Sequence, residues 1–313
     1  MKAPLLMIGV GGCGHSMVEG LIGHSFSADV DYVVVDTVAV NASASFPFRM
    51  LSIGSDLTKG RGTGGNVALA TTIAEANGPL LAELLTERQL IILLTGLGGG
   101  AGSGISPVIA KLAAEQQATL ITIAIWPFPF EAGKRTTNAQ QALTQLSTLS
   151  HATLVIENKQ LLAHVGGSTR LSDAFGAVSQ LLALIITQIS RMLFGDALIR
   201  VDISTLTTVL AQRGQASIGY CRRADLPADT PVTELARTAL AHPLSPKLPL
   251  HQAKALVLAI RAGAGFDISE LNAIGESAVN MVSANCSVAI SFEPLPDAAD
   301  DVLEVFALVG GIV

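Results

Sequence analysis

The sequence predicts an α/β protein: a doubly wound parallel sheet joined through a long helix to a smaller α/β domain. Three observations carry this expectation. Short apolar runs rich in β-branched residues alternate with helix-like segments through the first half of the 313-residue chain. Glycine-rich turns follow two of those runs. After one long apolar stretch, Leu171 to Phe194, the texture changes to strands separated by two helices.

Taken in order, "LLMIGV" reads as a first strand leading into "GGCGHS" and a helix, and "DYVVVDT" as the next strand. The glycine-rich "TKGRGTGGN", Thr58 to Asn66, follows a third strand-like segment. "LIILLTG" then leads into "GLGGGAGSG", Gly96 to Gly104, with six glycines in nine residues, and into a helix, "ISPVIAKLAAE". "ATLITIAIW" and "ATLVIEN" complete the strands of the first domain. Beyond the long helix, "ASIGYCRR", "KALVLAIRAG", "VAISFEP" and "DVLEVFALVGGIV" read as strands, with helices near Thr233–Ala241 and Ser269–Ser283. The expected boundaries are a first domain over 1–168, a linking helix over 169–195 and a second domain over 196–313.

Composition narrows the function classes. Half the residues are hydrophobic and only 4% aromatic, so the core is built mainly from Ala, Leu, Ile and Val. A formal charge of −6 without any basic run argues against a nucleic-acid or anionic-membrane surface. Mean hydropathy is high, at +0.52. The greasiest stretch is nonetheless broken by Thr187, Gln188, Ser190 and Arg191, and a spanning helix needs about 20 mostly apolar residues. Cys13, Cys221 and Cys286 are far apart, which suits reduced thiols in the cytoplasm and neither a disulfide framework nor a zinc site. The six histidines are scattered too, so no side-chain metal cluster is expected.

The glycine turns suggest phosphate chemistry, because glycine lets backbone N–H groups approach an anion closely. "GVGGCG", Gly9 to Gly14, fits Gly-x-Gly-x-x-Gly, and Asp36 closes the next strand where a dinucleotide site wants a ribose-binding acid. A nicotinamide enzyme is therefore one reading. A second cradle at Gly96–Gly104 counts against it, since a pyrophosphate needs one helix N-terminus, whereas two cradles at neighbouring strand ends suit a triphosphate. No Gly-Lys-Ser/Thr follows the second cradle, so it is not a P-loop. In the third glycine stretch, Lys59 and Arg61 are candidate phosphate contacts, with a plain surface loop as the equal alternative.

At "IGVGGCG", "SDLTKGRGTGGN", "TGLGGGAGSGISPVIA", "PFPFEAGKR", "LSDAFGAV" and "LIRVDISTLTTVL" the chain resembles the FtsZ/tubulin family of filament-forming GTPases, and within it the bacterial FtsZ branch, from about Leu5 to Val313. The resemblance implies GTP or GDP as ligand, with Mg2+ held by the phosphates. It implies phosphate contacts from Gly11, Gly12, Gly98, Gly99, Gly100, Ala101, Gly102 and Ser103, with Cys13 and Ser16 as further nucleotide-binding residues. Glu131 would bind the ribose, Arg135 would lie near the nucleotide and Phe175 would pack on the base.

The departures from the family pattern are informative. Ser16 stands where the family ends its first loop in asparagine, and Asp36, Thr37 and Val38 replace its Asn-Thr-Asp. Ser179 and Gln180 replace the Asn and Asp that read the guanine edge; a neutral glutamine accepts one N–H donor where a carboxylate accepts two. The catalytic loop, which the family supplies from the next subunit, is Asn-x-Asp-x-x-Asp. Here it reads Arg200, Asp202 and Thr205. Threonine orients a water but cannot take its proton, and general-base loss typically costs roughly 10²–10⁴-fold, so slow or negligible turnover is expected.

The expected partner is the chain itself, head to tail in a filament, or another FtsZ-like protein. The alternative is a non-polymerising module that modulates such a protein. The sequence ends where the family's folded core ends, which leads us to expect neither a direct membrane anchor nor a C-terminal adaptor-binding peptide.

Overall fold

The computed structural model describes residues 2–39, 47–131, 133–157, 171–241 and 248–312, with 171–175 and 177 described by backbone alone. Contacts divide the chain into Met1–Ala183 and Leu184–Val313.

In the first unit, β1 (Leu5–Val10), β2 (Val30–Asp36), β3 (Arg49–Ser52), β4 (Leu90–Gly96), β5 (Thr119–Trp126) and β6 (Ala152–Glu157) lie in the order β3-β2-β1-β4-β5-β6. Every pairing among them is parallel. Every residue of β1 is buried, as are Leu90–Thr95 of β4, because helices cover both faces. That explains runs of unbroken hydrophobicity in place of alternation.

The chain moves outward from β1 through β2 to β3, then returns to the other side of β1 with β4. The order in which the chain lays down its strands therefore reverses between β1 and β4, the place where open α/β sheets bind ligands. Two helices start there: α1 (Gly11–Glu19) directly after β1, and, numbered below, one directly after the β4 turn.

The short α2 (Ser55–Thr58), then α3 (Val67–Ala76) and α4 (Gly78–Leu85), connect β3 to β4, and α5 (Gly100–Glu115) follows β4. Asn66 caps α3 by accepting the Leu69 N–H at 3.1 Å. Helix α6 (Lys134–Leu149) links β5 to β6, and α7 (Leu171–Phe194) runs across the division between the units. One apolar cluster joins Leu6, Ile8 and Val10 of β1 to Ile73, Ile105, Ile109 and Leu146 of the covering helices.

In the second unit, β7 (Gln215–Arg222), β8 (Ala255–Ala262), β9 (Ser287–Pro294) and β10 (Leu303–Ile312) take the order β7-β10-β8-β9. Strand β10 is antiparallel to both neighbours, while β8 and β9 are parallel. Helix α8 (Ile203–Val209) precedes β7; α9 (Thr233–Leu240) and α10 (Ile268–Val279) pack on the core of Leu256, Leu258, Ile260, Val305 and Ala307. These helices start and end close to the segments expected from the sequence. The short α8 is an addition. It forms because Asp202 supplies an N-cap.

The fold is thus a parallel-dominated α/β architecture. No helix among the described residues is long and apolar enough to cross a membrane.

Candidate functional site

A cleft of about 930 Å³ opens at the carboxyl ends of β1, β2, β4 and β5 in the first unit. Its centre is the meeting of the two glycine turns. Gly11 sits at φ +68°, and a Cβ built there would stand 3.2 Å from the Ala101 Cβ and 3.4 Å from the Gly102 nitrogen. The first turns of α1 and α5 therefore face one space, with their leading N–H groups free of helical partners. Backbone dipoles and N–H groups so placed bind anions without a lysine. None of the described residues lining the cleft is a lysine.

The second turn is held rigidly. The Gly98 N–H donates to Ser103 Oγ at 2.7 Å, and the Gly98 carbonyl accepts from Asn138 Nδ2 at 3.3 Å. Thr95 Oγ1 donates to the Gly102 carbonyl at 3.2 Å and accepts from Ser106 Oγ at 2.9 Å. The sequence gives Gly96–Gly104 the look of a loop, but Gly100, Gly102 and Gly104 already belong to α5. Gly102 is there because β4 runs so close: a Cβ would fall 2.0 Å from the Gly96 oxygen.

Of the residues singled out in the sequence, Gly11, Gly12, Cys13, Ser16, Gly99, Gly100, Ala101, Gly102, Glu131, Arg135 and Ser179 line this cleft. Gly98 and Ser103 do not, and Ser103 is only 3% exposed, with its hydroxyl turned toward Gly98. Gln180 is exposed and does not line the cleft. The side chain of Phe175 lies outside the described residues.

Glu131 and Arg135 form an i,i+4 ion pair at the rim, and Glu131 Oε2 also accepts the Phe128 N–H at 3.0 Å. Cys13 lies in the first turn of α1, not in a loop. Burial of its sulfur, and then the nearby charge of Glu131, push the thiol up to about 11, so it is neutral at pH 7. The residue as a whole retains surface, but the sulfur is lodged against the β4 turn: a Cβ on Gly96 would stand 2.8 Å from Sγ.

Sequence reasoning gave less weight to the other side of the cleft. Asp36, Thr37 and Val38 at the end of β2 line it, together with Arg61 to Gly65 of the third glycine stretch. An antiparallel bridge between Val38 and Arg61 ties these two segments together. Val38 is 47% exposed, and Phe130, stacked on Phe128 with ring centroids 5.1 Å apart, is 81% exposed. The signal for this side was present in "DTV" and "GRGTGG", but which strand end they join is a matter of topology.

Arg200, Asp202 and Thr205 belong to the second unit. Asp202 Oδ1 accepts the Thr205 N–H at 2.7 Å and the Ser204 hydroxyl at 2.8 Å, which caps α8. Those hydrogen bonds, led by the Thr205 N–H, hold the carboxyl below its ordinary range. Arg200 is exposed, and its Nε donates to the Ala197 carbonyl at 3.1 Å. Leu198 and Ile199, directly before it, are 73% and 42% exposed. Among the described residues, no group of three or more His, Cys, Asp or Glu side chains is arranged to hold a metal ion.

Comparison with known proteins agrees with this architecture. A family model described as "Tubulin/FtsZ family, GTPase domain" matches residues 4–166. The cell division protein FtsZ of Haemophilus influenzae is 28% identical over 318 residues, covering 96% of this chain and 76% of that protein. FtsZ of Wigglesworthia glossinidia brevipalpis is 29% identical over 310 residues, covering 99% and 79%. Among solved structures, an empty FtsZ dimer of M. jannaschii superposes with a TM-score of 0.81 at 21% identity, covering 99% of this chain and 88% of that one. CetZ2 from Haloferax volcanii, a GTPgS-bound protofilament, superposes with a TM-score of 0.78 at 22% identity, covering 100% and 94%.

Proposed function

Because the chain belongs to the Tubulin/FtsZ family, we propose that it is a cytoplasmic cytoskeletal protein that binds GTP or GDP in this cleft and assembles head to tail into filaments, hydrolysing GTP slowly or not at all. The observation that carries the reading is the convergence of α1 and α5 on one cleft with no lysine among its described lining residues, and with Gly11 and Gly102 nearly touching. Two helix N-termini supply the positive potential that a polyphosphate needs.

Assembly is supported by exposed apolar residues. Val38 lines the cleft and Phe130 stacks on Phe128, which also lines it, so a second copy closing over a nucleotide would cover them. The second unit presents Leu198 and Ile199 next to the segment that the family uses against its neighbour's nucleotide. A contact between two different surfaces of one chain propagates into an open filament when its rotation does not close.

Slow turnover follows from the same segment. Thr205 carries no carboxylate, and one oxygen of the Asp202 carboxylate is engaged in capping its own helix. In this reading Arg200 is an interface residue. Pelleting and electron microscopy with GTP, GDP, ATP and no nucleotide test the proposal: nucleotide-dependent filaments are expected, and monomers under all four conditions would refute it.

A further inference from the structure

Away from the glycine turns, the cleft is lined by Ser16 and Met17 of α1 and by Val178 and Ser179 of α7, all within the first unit. Met17 and Val178 are buried, and they give this end an apolar wall. The end is also closed. Gly20, just past α1, meets α7 so tightly that a Cβ there would stand 2.3 Å from Ser179 Oγ.

A nucleobase fits here better than elsewhere in the cleft. Ser16 lies five residues after Gly11, about 8 Å along α1 at 1.5 Å per residue, which leaves room for a sugar between it and the phosphate cradle. The other sides carry charge: Asp36 and Arg61 on one, the Glu131–Arg135 pair on another. A planar, uncharged heterocycle loses least by leaving water at the neutral, apolar end.

We infer that this end of the cleft accepts purines without selecting guanine, so that adenosine and inosine triphosphates bind about as well as GTP. The inference rests on the nucleotide reading above and concerns the base that the site takes.

The argument is one of hydrogen-bond complementarity. Guanine presents two adjacent N–H donors beside its carbonyl, whereas adenine presents a donor beside an acceptor. Selecting guanine calls for a group that accepts twice and never donates, as an ionised carboxylate does. The groups at this end are of the other kind. The hydroxyls of Ser16 and Ser179 both donate and accept. Ser16 Oγ donates to the Gly12 carbonyl at 3.2 Å, so its lone pairs accept an N–H from either purine. Gln180, the next residue of α7, is exposed, and its amide offers an acceptor beside donors, which matches adenine's edge at least as well as guanine's.

The carboxylates among the described lining residues are engaged elsewhere. Asp36 Oδ1 accepts the Thr37 N–H at 2.6 Å, and Glu131 is paired with Arg135. A site rejects the wrong substrate strongly when that substrate leaves a buried polar group unpaired. Ser16 is exposed, so water replaces any bond that a base fails to make, and the penalty for adenine is small.

The test is calorimetric titration of GTP, ATP and inosine triphosphate into the full chain in one magnesium buffer, with Ser16→Asp beside the parent. Position 16 is exposed, so the variant should melt like the parent. In the parent, ATP and inosine triphosphate should bind within about tenfold of GTP. The aspartate accepts twice, and should raise the preference for GTP over ATP by about tenfold or more. Its repulsion of the phosphates falls on all three ligands alike and cancels in the ratio. A parent that prefers GTP to either rival by more than about tenfold would overturn the inference. A variant that keeps the parent's ratio would overturn it too, because the base would then lie elsewhere. In both cases the nucleotide reading survives. A parent that binds none of the three would overturn both.

Discussion

The carboxylate of Asp202 accepts the backbone N–H of Thr205 at 2.7 Å, so two of the residues expected to act in catalysis are bonded to each other. The bond starts α8 and engages Oδ1 of Asp202, while Thr205 has no carboxylate to offer a water.

This cap predicts a pH signature. The folded-state pKa of Asp202 lies below its ordinary value of 3.8, so its contribution to stability is complete above that value and is lost as pH falls through the lower, folded one. Asp267, which caps α10 through the Ser269 and Glu270 N–H groups, behaves in the same way. Thermal melts from pH 7 down to pH 2 should show the midpoint dropping below about pH 4, and Asp202→Asn should flatten part of that drop while keeping the cap acceptor. An unchanged acid profile in that variant would contradict the assignment.

Restoring a carboxylate should restore chemistry. In Thr205→Asp, phosphate release from GTP under assembling conditions should rise by about 10²-fold or more, the usual worth of a general base. GTP affinity of the isolated chain should stay unchanged, because residue 205 lies in the other unit from the cleft. Equal release from both proteins would show that the missing carboxylate is not what limits turnover.

The glycines of the cleft should separate into two kinds. A Cβ on Gly12 would meet nothing within 4 Å, whereas one on Gly102 would fall 2.0 Å from a backbone oxygen. Gly12→Ala should therefore fold normally and bind GTP about tenfold more weakly, its methyl group intruding on the anion. Gly102→Ala should lose about 2 kcal/mol of stability or more, because β4 and α5 must separate. Urea unfolding and nucleotide titration of both variants provide the check.

An ion network supports the second unit. Arg261 on β8 bonds Glu293 on β9 at 2.9 Å and Glu304 on β10 at 2.8 Å, with all three side chains 15–22% exposed. Arg261→Met would leave two carboxylates facing each other. We expect a loss of about 2 kcal/mol, less than for a fully buried pair because water still reaches the group. Arg261→Lys should recover only part of it, since an ammonium cannot match the guanidinium's fork. Denaturant unfolding of the two variants measures the difference.

The strands and the helices of both units were legible because burial on two faces demands continuous apolar runs and helix packing demands a 3.6-residue period. Each leaves its mark locally. The glycine turns were legible for a related reason: glycine adopts positive φ and allows close backbone contact without steric cost. What those glycines contact was not. Gly102 looked like part of a loop yet serves the crossing of β4 and α5, and Ser103 looked like a phosphate ligand yet turns its hydroxyl to Gly98. Asp202 read as a catalytic carboxylate, and its local sequence, Asp-Ile-Ser-Thr, equally spells a helix cap.

By itself the sequence determined the α/β class, the alternation of strands and helices, and the family, since these depend on residue type and on spacing along the chain. Only the tertiary structure decided that β1 and β4 are neighbours, that the third glycine stretch folds against the end of β2, and that Thr37 is buried without a partner. The reason is physical: hydrogen-bond satisfaction and close approach are properties of atoms brought together from distant points of the chain, and no local pattern encodes which atoms those will be.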